Sequence, residues 1–279
     1  MTGRKAGRIA RPLIALTVAG ILAACGSDDE IALEDTAPET IFQRAERELA
    51  RGDADDAARL FSEVERLYPF SEWARRGLIM QAFAYHQDKD YENARASAQR
   101  FIDFYPADED AAYAQYLLAL SYYDQIDQVG RDQGLTFQAL QSLRTVIERY
   151  PDSEYARSSI LKFDLAFDHL ASKEMEIGRY YLKRKHYPAA INRFRAVVEE
   201  FQTTTHTPEA LLRLVEAYLA LGLTDEAQTA GAILGYNFQG SPFYDDAFRQ
   251  LTGQGLAPEA AGSGWLKSIY DRTLRGRWL

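Results

Sequence analysis

Five successive stretches of the chain repeat one pattern: a small residue and an aromatic in a first helix-like segment, then an alanine and a bulky apolar residue in a second. The first stretch carries Ala45, Ala57, Phe61 and Pro69, and the second Ala82, Tyr85, Ala94, Phe101 and Pro106. In the third stand Ala119, Tyr122, Ala139, Leu143 and Pro151, and in the fourth Ile177, Gly178, Tyr181, Ala190, Phe194 and Val197. The fifth, with Leu211, Leu214, Tyr218, Ala227 and Leu234, is weaker in its second half. Tyr68-Pro69, Tyr105-Pro106, Tyr150-Pro151 and Phe201-Gln202 punctuate the stretches at intervals of 37, 45 and 51 residues. Each interval is about one 34-residue tetratricopeptide period plus an insertion. The pattern predicts an all-α fold: a right-handed superhelical stack of about five helix hairpins, small residues where paired helices cross closely and large ones between pairs. Gly52 and Gly222 fall in the turns between paired helices, where a positive φ costs glycine little.

Two departures from the period shape the stack. Between Tyr122 and Ala139 lie eight extra residues around Asp127–Gly134, which must leave the third unit as a loop. From Ser153 to Lys185 no proline or breaker other than Gly178 occurs, which predicts one helix of about 30 residues, about 45 Å long. It would join a front block of three units (39–153) to a rear block of two (154–250). Residues 251–264, rich in Gly, Ala and Pro, read as a linker. Residues 265–279 read as a short basic amphipathic helix, with Leu266, Tyr270, Leu274 and Trp278 every fourth residue among Lys267, Arg272, Arg275 and Arg277. That tail either caps the last repeat or docks a partner.

The amino terminus changes the setting. Arg4, Lys5, Arg8 and Arg11 precede an apolar run from Leu13 to Ala24, the layout of a secretory signal peptide over 1–24. A membrane-crossing helix needs about 20 apolar residues, so this run is too short to remain as a span. It closes on Leu22-Ala23-Ala24-Cys25, which resembles the box read before a diacylglyceryl group is attached to cysteine. Lipid on Cys25 would tie the chain to a membrane through the acidic tether 25–38, with Gly26 compatible with transfer to the outer membrane. Cys25 is the one cysteine in the sequence, so the body has no disulfide.

Cleavage removes four positive charges and no negative ones, so a net charge of -9 becomes -13, which repels phosphate backbones and argues against nucleic-acid binding. The four histidines, His86, His169, His186 and His206, have no second ligand at metal spacing, and no phosphate loop or nucleophile elbow occurs. No catalysis, metal or cofactor other than the lipid is expected.

From about Glu39 to Phe248 the sequence resembles the BamD family of tetratricopeptide lipoproteins of the outer-membrane β-barrel assembly machinery. The likeness is most specific at Tyr68-Pro69-Phe70-Ser71, at the Gly-Arg-Asp of 130–132, and at Glu174–Arg184 running into Tyr187–Arg193. It implies a non-enzymatic subunit on the periplasmic face of the outer membrane. Such a subunit docks through its rear repeats on a periplasmic domain of the barrel-forming subunit BamA, works beside other lipoproteins of the machinery, and presents unfolded barrel proteins through its front repeats. A secretin pilotin or cell-wall coordinator is the competing role.

The residues suggest where each surface lies. Projecting the first helices of the front block onto the inner face of the stack gives Phe42, Ile79, Phe83, His86, Tyr113, Tyr116 and Tyr123, which either line a groove for an extended aromatic-bearing peptide or fill core between repeats. In the rear block Arg179, Lys183, Arg184, Lys185 and Arg193, with Asn192, form a basic cluster on an acidic body. The cluster is either a solvated face or the partner interface, with Arg193 as the ion-pairing contact.

Overall fold

A computed structural model of the chain describes residues 33–129 and 131–278. The expected signal peptide, the Cys25 anchor, most of the tether and Gly130 lie outside the described residues. Among the described residues there are twelve α-helices and no strand. The first ten pair as α1 (Pro38–Arg51) with α2 (Ala54–Leu67), α3 (Glu72–Gln87) with α4 (Tyr91–Phe104), α5 (Ala111–Tyr123) with α6 (Gly134–Arg149), α7 (Glu154–Lys183) with α8 (Tyr187–Glu200), and α9 (Thr207–Leu221) with α10 (Thr224–Asn237). Two shorter helices follow, α11 (Pro242–Thr252) and α12 (Trp265–Leu274). Every helix from α1 to α10 packs on the one before and the one after it, and each odd helix also touches the next odd one. The odd helices therefore form one row and the even helices lie behind it.

The repeat works through a few positions. Ala57, Ala94, Ala139, Ala190 and Ala227 stand at the same place in the five even helices, and all five are fully buried. A larger residue there would push paired helices apart, because interiors are packed too densely to absorb added methylenes without strain. Gly178 serves the same need from α7: an added Cβ would meet the ring of Phe194 on α8. Odd helices in the middle of the row are buried on three sides, which is why α5 reads as an almost continuous apolar run (AAYAQYLLALSYY).

Turns within pairs follow one rule. Asp53, Asp90, His186 and Leu223 donate their backbone N–H to the carbonyls of Glu48, Tyr85, Tyr181 and Tyr218, five residues back, at 2.9–3.0 Å. The residue before each donor is left-handed: Gly52 (φ 93°), Lys89 (64°), Lys185 (62°) and Gly222 (73°). This closes the free carbonyls at the helix end. Lysine at two of these sites is strained, since its Cβ crowds the carbonyl in that conformation.

Turns between pairs follow another. After each even helix an aromatic, Tyr68, Tyr105, Tyr150, Phe201 or Phe238, accepts at its carbonyl the N–H of the residue three places on, which is Ser71, Asp108, Ser153, Thr204 or Ser241. The Ser71 and Ser153 hydroxyls then accept from the N–H of Ala74 and Ala156 at 3.0 and 3.2 Å, capping the next odd helix. Proline after the aromatic helps stop the even helix.

In the third pair the eight-residue insertion replaces the tight turn, and it is held down. Gln133 donates to the carbonyls of Val129 and Arg131 at 3.1 and 3.0 Å, and Lys173 of α7 donates to Arg131 at 2.7 Å. Helix α7 runs unbroken for 30 residues, its first half on α5 and α6 and its second on α8 and α9. Leu140, Ala166 and Leu170 form a small core with Phe163, Phe167 and Phe201, which joins the two blocks.

The region read as a linker is instead a strap along α10. Pro258 lies against Gly231, Gln228 donates to the carbonyl of Ala257 at 3.0 Å, and Thr229 exchanges hydrogen bonds with the carbonyl and N–H of Ala261 at 2.8 and 2.9 Å. Helix α12 packs on α10, burying Leu266 and Ile269. Trp278 is 4% exposed and donates its indole N–H to the carbonyl of Val198 at 3.2 Å. The tail is a cap on the rear block, because its apolar side has a core to join.

Candidate peptide groove and partner face

Front positions on the odd helices separate into core and surface. Phe42 and Ile79, expected in the groove, are 2% and 5% exposed and belong to the core. The ring of Phe42 lies edge-on to Phe61 at 5.1 Å and tilted against Trp73 at 5.2 Å, and Ile79 packs among α3, α4 and α5. The reason is geometric: a helix held between neighbours on three sides turns inward every residue near its contact lines. Phe83, His86, Tyr113, Tyr116 and Tyr123 are half-buried. His86 Nε2 stands 3.1 Å from Asp124 Oδ2, off the line a hydrogen bond needs, and its ring meets Tyr91 edge-on at 5.5 Å.

The tyrosines form a cluster with a member that the projection did not include. Tyr155, in the first turn of α7, lies 5.2 Å from Tyr113 and 5.4 Å from Tyr116, ring centre to ring centre. Lys162, two turns on, holds its ammonium 5.8 Å from the Tyr116 ring and 5.7 Å from the Tyr123 ring. Tyr155 follows the Tyr150-Pro151-Asp152-Ser153 turn that starts α7, the next odd helix of the row, so extending the projection by one helix reaches it. Burial pushes the Tyr113 phenol up to about 12, with Tyr155 and Asp110 adding to the effect, and burial also raises Tyr155. Both phenols remain neutral hydrogen-bonding groups at ordinary pH, and the cluster offers flat apolar faces with polar rims. Such a surface suits aromatic side chains, whose offset or edge-on pairing is worth about 0.5–1.5 kcal/mol beyond burial.

The rear basic cluster is already engaged. Arg179 donates to Glu209 of α9 at 2.8 Å, Glu209 also accepts from Arg213 at 3.2 Å, and Arg213 reaches Glu216 at 2.8 Å. This ladder ties α7 to α9. Arg184 lies over the Tyr180 ring at 4.1 Å. Lys183, Lys185 and Asn192 are exposed at the α7–α8 end of the block. Arg193 is exposed but paired: its guanidinium holds Glu174 of α7 at 3.1 Å, so a partner carboxylate would have to compete with an internal one.

Among the described residues no group of three His, Cys, Asp or Glu could hold a metal ion, and no helix is long and apolar enough to cross a membrane. His206 lies 3.2 Å from Asp168, whose carboxylate also accepts from Thr205 at its backbone N–H and hydroxyl, which is a turn-fixing arrangement.

Comparison with known proteins places this architecture. A family model described as YfiO, outer membrane lipoprotein, matches residues 34–233. The outer membrane protein assembly factor BamD of Caulobacter vibrioides is 46% identical over 274 residues, covering 98% of this chain and 90% of that protein. That span extends past Gly253 into the strap and α12. BamD of Rickettsia prowazekii is 47% identical over 193 residues, 69% of this chain and 77% of its own, and BamD of Neisseria meningitidis serogroup A is 29% identical over 252 residues, 85% and 94%. With its hairpin stack and its likeness to these relatives along nearly its full length, the chain belongs to the BamD (YfiO) family of outer membrane lipoproteins.

Proposed function

We propose that the chain is a non-enzymatic scaffold of outer-membrane β-barrel assembly, held on the periplasmic face of the outer membrane by lipid on Cys25. The observation that carries this reading is the 46% identity to a protein named as an outer membrane protein assembly factor, over 98% of the chain. In this role the rear block docks on a periplasmic domain of the barrel-forming subunit, in company with other lipoproteins of the machinery. The front block offers the tyrosine cluster to unfolded barrel proteins.

The cluster of Tyr113, Tyr116 and Tyr155 supports the guest surface, because its rings gather on the odd-helix row and stay only half-buried there. The exposed end of the rear block at Lys183, Lys185 and Asn192, next to an exposed Arg193 whose carboxylate partner is Glu174 of α7, supports the docking face. No observation favours a secretin pilotin or a cell-wall coordinator. Depletion tests the assembly role: barrel proteins of many kinds are expected to vanish from the outer membrane together. Loss of a single secretin with the other barrels intact would overturn it. A Cys25→Ser chain recovered in the soluble periplasmic fraction is the expected result for the anchor, and unchanged membrane attachment would refute it.

A further inference from the structure

The turns between pairs share a geometry but not a tip. Two residues after the aromatic that ends each even helix stand Phe70, Ala107, Asp152, Thr203 and Gly240, so the turn itself asks for no large apolar residue there. Phe70 is nonetheless fully exposed, although phenylalanine is among the residues most often buried. The position just before that aromatic shows the same gradient, with Leu67 and Phe104 in the first two turns and then Arg149, Glu200 and Asn237. Phe104 is 64% exposed. Single exposed rings are common on protein surfaces, but these two stand on the edge where the tether reaches the fold. Leu33 packs on the first core, and the Tyr68 hydroxyl donates to the carbonyl of Thr36 at 2.7 Å, which fixes the incoming chain against the turn that carries Phe70. Cys25 lies eight residues before Leu33, a reach of at most about 29 Å.

We infer that this edge of the front block rests on the lipid surface that holds Cys25, with Phe70 set into the headgroup layer and Phe104 against it. The inference rests on the reading of Cys25 as the lipid anchor and adds a second contact, made by the protein itself. Acyl chains keep Leu33 within about 29 Å of the bilayer, so a contact too weak to bind from solution is enough to orient the body. At the boundary between headgroups and acyl chains an apolar ring leaves water, whereas on the free protein nothing covers Phe70. The charge around the rings selects the lipid. Glu34, Asp35, Glu39, Glu72, Asp103 and Glu109 are exposed on the same edge, so an anionic surface repels it and a zwitterionic one, such as phosphatidylethanolamine, does not. Helices α1, α3 and α5 begin at this edge, so the contact stands the front hairpins on end over the membrane and leaves the odd-helix row open to the side.

The test uses the full-length chain purified from the envelope and reconstituted in vesicles of phosphatidylethanolamine and phosphatidylcholine, with a nitroxide on Glu72→Cys, an exposed position two residues from Phe70. Electron spin resonance compares collisions with oxygen, which enters the bilayer, and with a nickel chelate, which stays in water. Nickel collisions at 72 are expected to fall several-fold on reconstitution, while a nitroxide on Leu223→Cys, in a within-pair turn of the rear block, stays as accessible as in solution. Phe70→Ser, which removes a fully exposed side chain and leaves the fold intact, should restore the nickel collisions at 72 with the chain still attached to the vesicles. Vesicles rich in phosphatidylglycerol should weaken the protection. The inference is overturned, and the anchor left standing, by an attached chain whose label at 72 meets nickel as freely as the label at 223, whose protection survives Phe70→Ser, or whose protection grows with phosphatidylglycerol. Cys25 found unmodified by mass, with the chain left behind when the vesicles float, overturns the anchor and the inference together.

Discussion

The front and rear blocks are built from the same hairpin but close their cores differently. In the front, buried side chains gather in separate clusters, one around α1–α3, one around α3–α5 and one around α5–α7. In the rear a single cluster runs from Met175 through Phe194, Leu214 and Leu234 to Leu266, Ile269 and Trp278. The difference comes from the strap and α12, which fold back over α10 and join the last hairpins into one body. A stack of separate nearest-neighbour cores leaves the odd-helix row open, and there the tyrosines sit half-exposed. A capped body is suited to rigid docking. The same repeat thus gives an open row in one block and a capped body in the other, according to what is laid over it.

Removing the cap should have the largest effect. Ending the chain at Gly253 takes the buried side chains of Leu266, Ile269 and Trp278 from the rear core, on the order of 5 kcal/mol at about 1.5–3 kcal/mol each. Hydrogen exchange should then show α9 and α10 losing protection by several powers of ten while α1–α4 keep theirs. Equal loss in both blocks would mean that the molecule is one cooperative unit.

Charge reversal at Arg193 comes next. Arg193→Glu should weaken binding of the barrel-forming subunit's periplasmic domains by about 2–5 kcal/mol, the usual cost of breaking a desolvated interfacial pair. Glu174→Gln, which releases Arg193 from its internal partner, should tighten that binding, as read by calorimetry. Neither change should alter peptide binding by the front block.

Smaller effects sharpen the picture. Gly178→Ala brings a Cβ into the Phe194 ring, an overpacking cost of about 1–3 kcal/mol that exceeds the ~1 kcal/mol alanine gains in helix propensity. Its thermal unfolding should shift down in the rear block. For Tyr113, raised to about 12 against an unfolded value near 10, the stabilising contribution is complete below pH 10 and disappears as pH climbs toward 12. Ultraviolet titration should show its phenolate appearing late, together with loss of front-block helicity, and Tyr113→Phe should remove that alkaline step. The smallest change is a gain: Lys89→Gly and Lys185→Gly should each stabilise their own block by about 0.5–1 kcal/mol, because glycine relieves the left-handed strain at φ 64° and 62°.

The sequence carried the skeleton well because the repeat is enforced by sterics that recur. Five alanines in register, the aromatic stops and an unbroken run from Ser153 to Lys185 each have one physical reading, and each is found in the fold. Burial on the odd helices was less legible. Phe42 and Tyr116 stand at the same place, three residues before Ala45 and Ala119, and which ring is covered depends on Trp73 and Arg76 over the first and on Tyr155 beside the second, contacts between distant segments. The strap reads as a linker since Gly, Ala and Pro report freedom in an isolated chain and say nothing of a surface waiting to receive it. A signal existed in α10: Gly231 and Gly235, one turn apart inside a helix, mark close approach by other chain segments, here Leu251 and Pro258 on one and Tyr244 on the other. Arg193 was singled out, but its pairing with Glu174 needed the geometry of α7 against α8.

Site-specific photo-crosslinking in the living envelope tests the division of labour most directly, with a benzophenone side chain placed at Tyr116 in one strain and at Asn192 in another. The account predicts unfolded barrel proteins of several kinds captured at 116 and the barrel-forming subunit captured at 192. The same product at both positions, or the two exchanged, would contradict it.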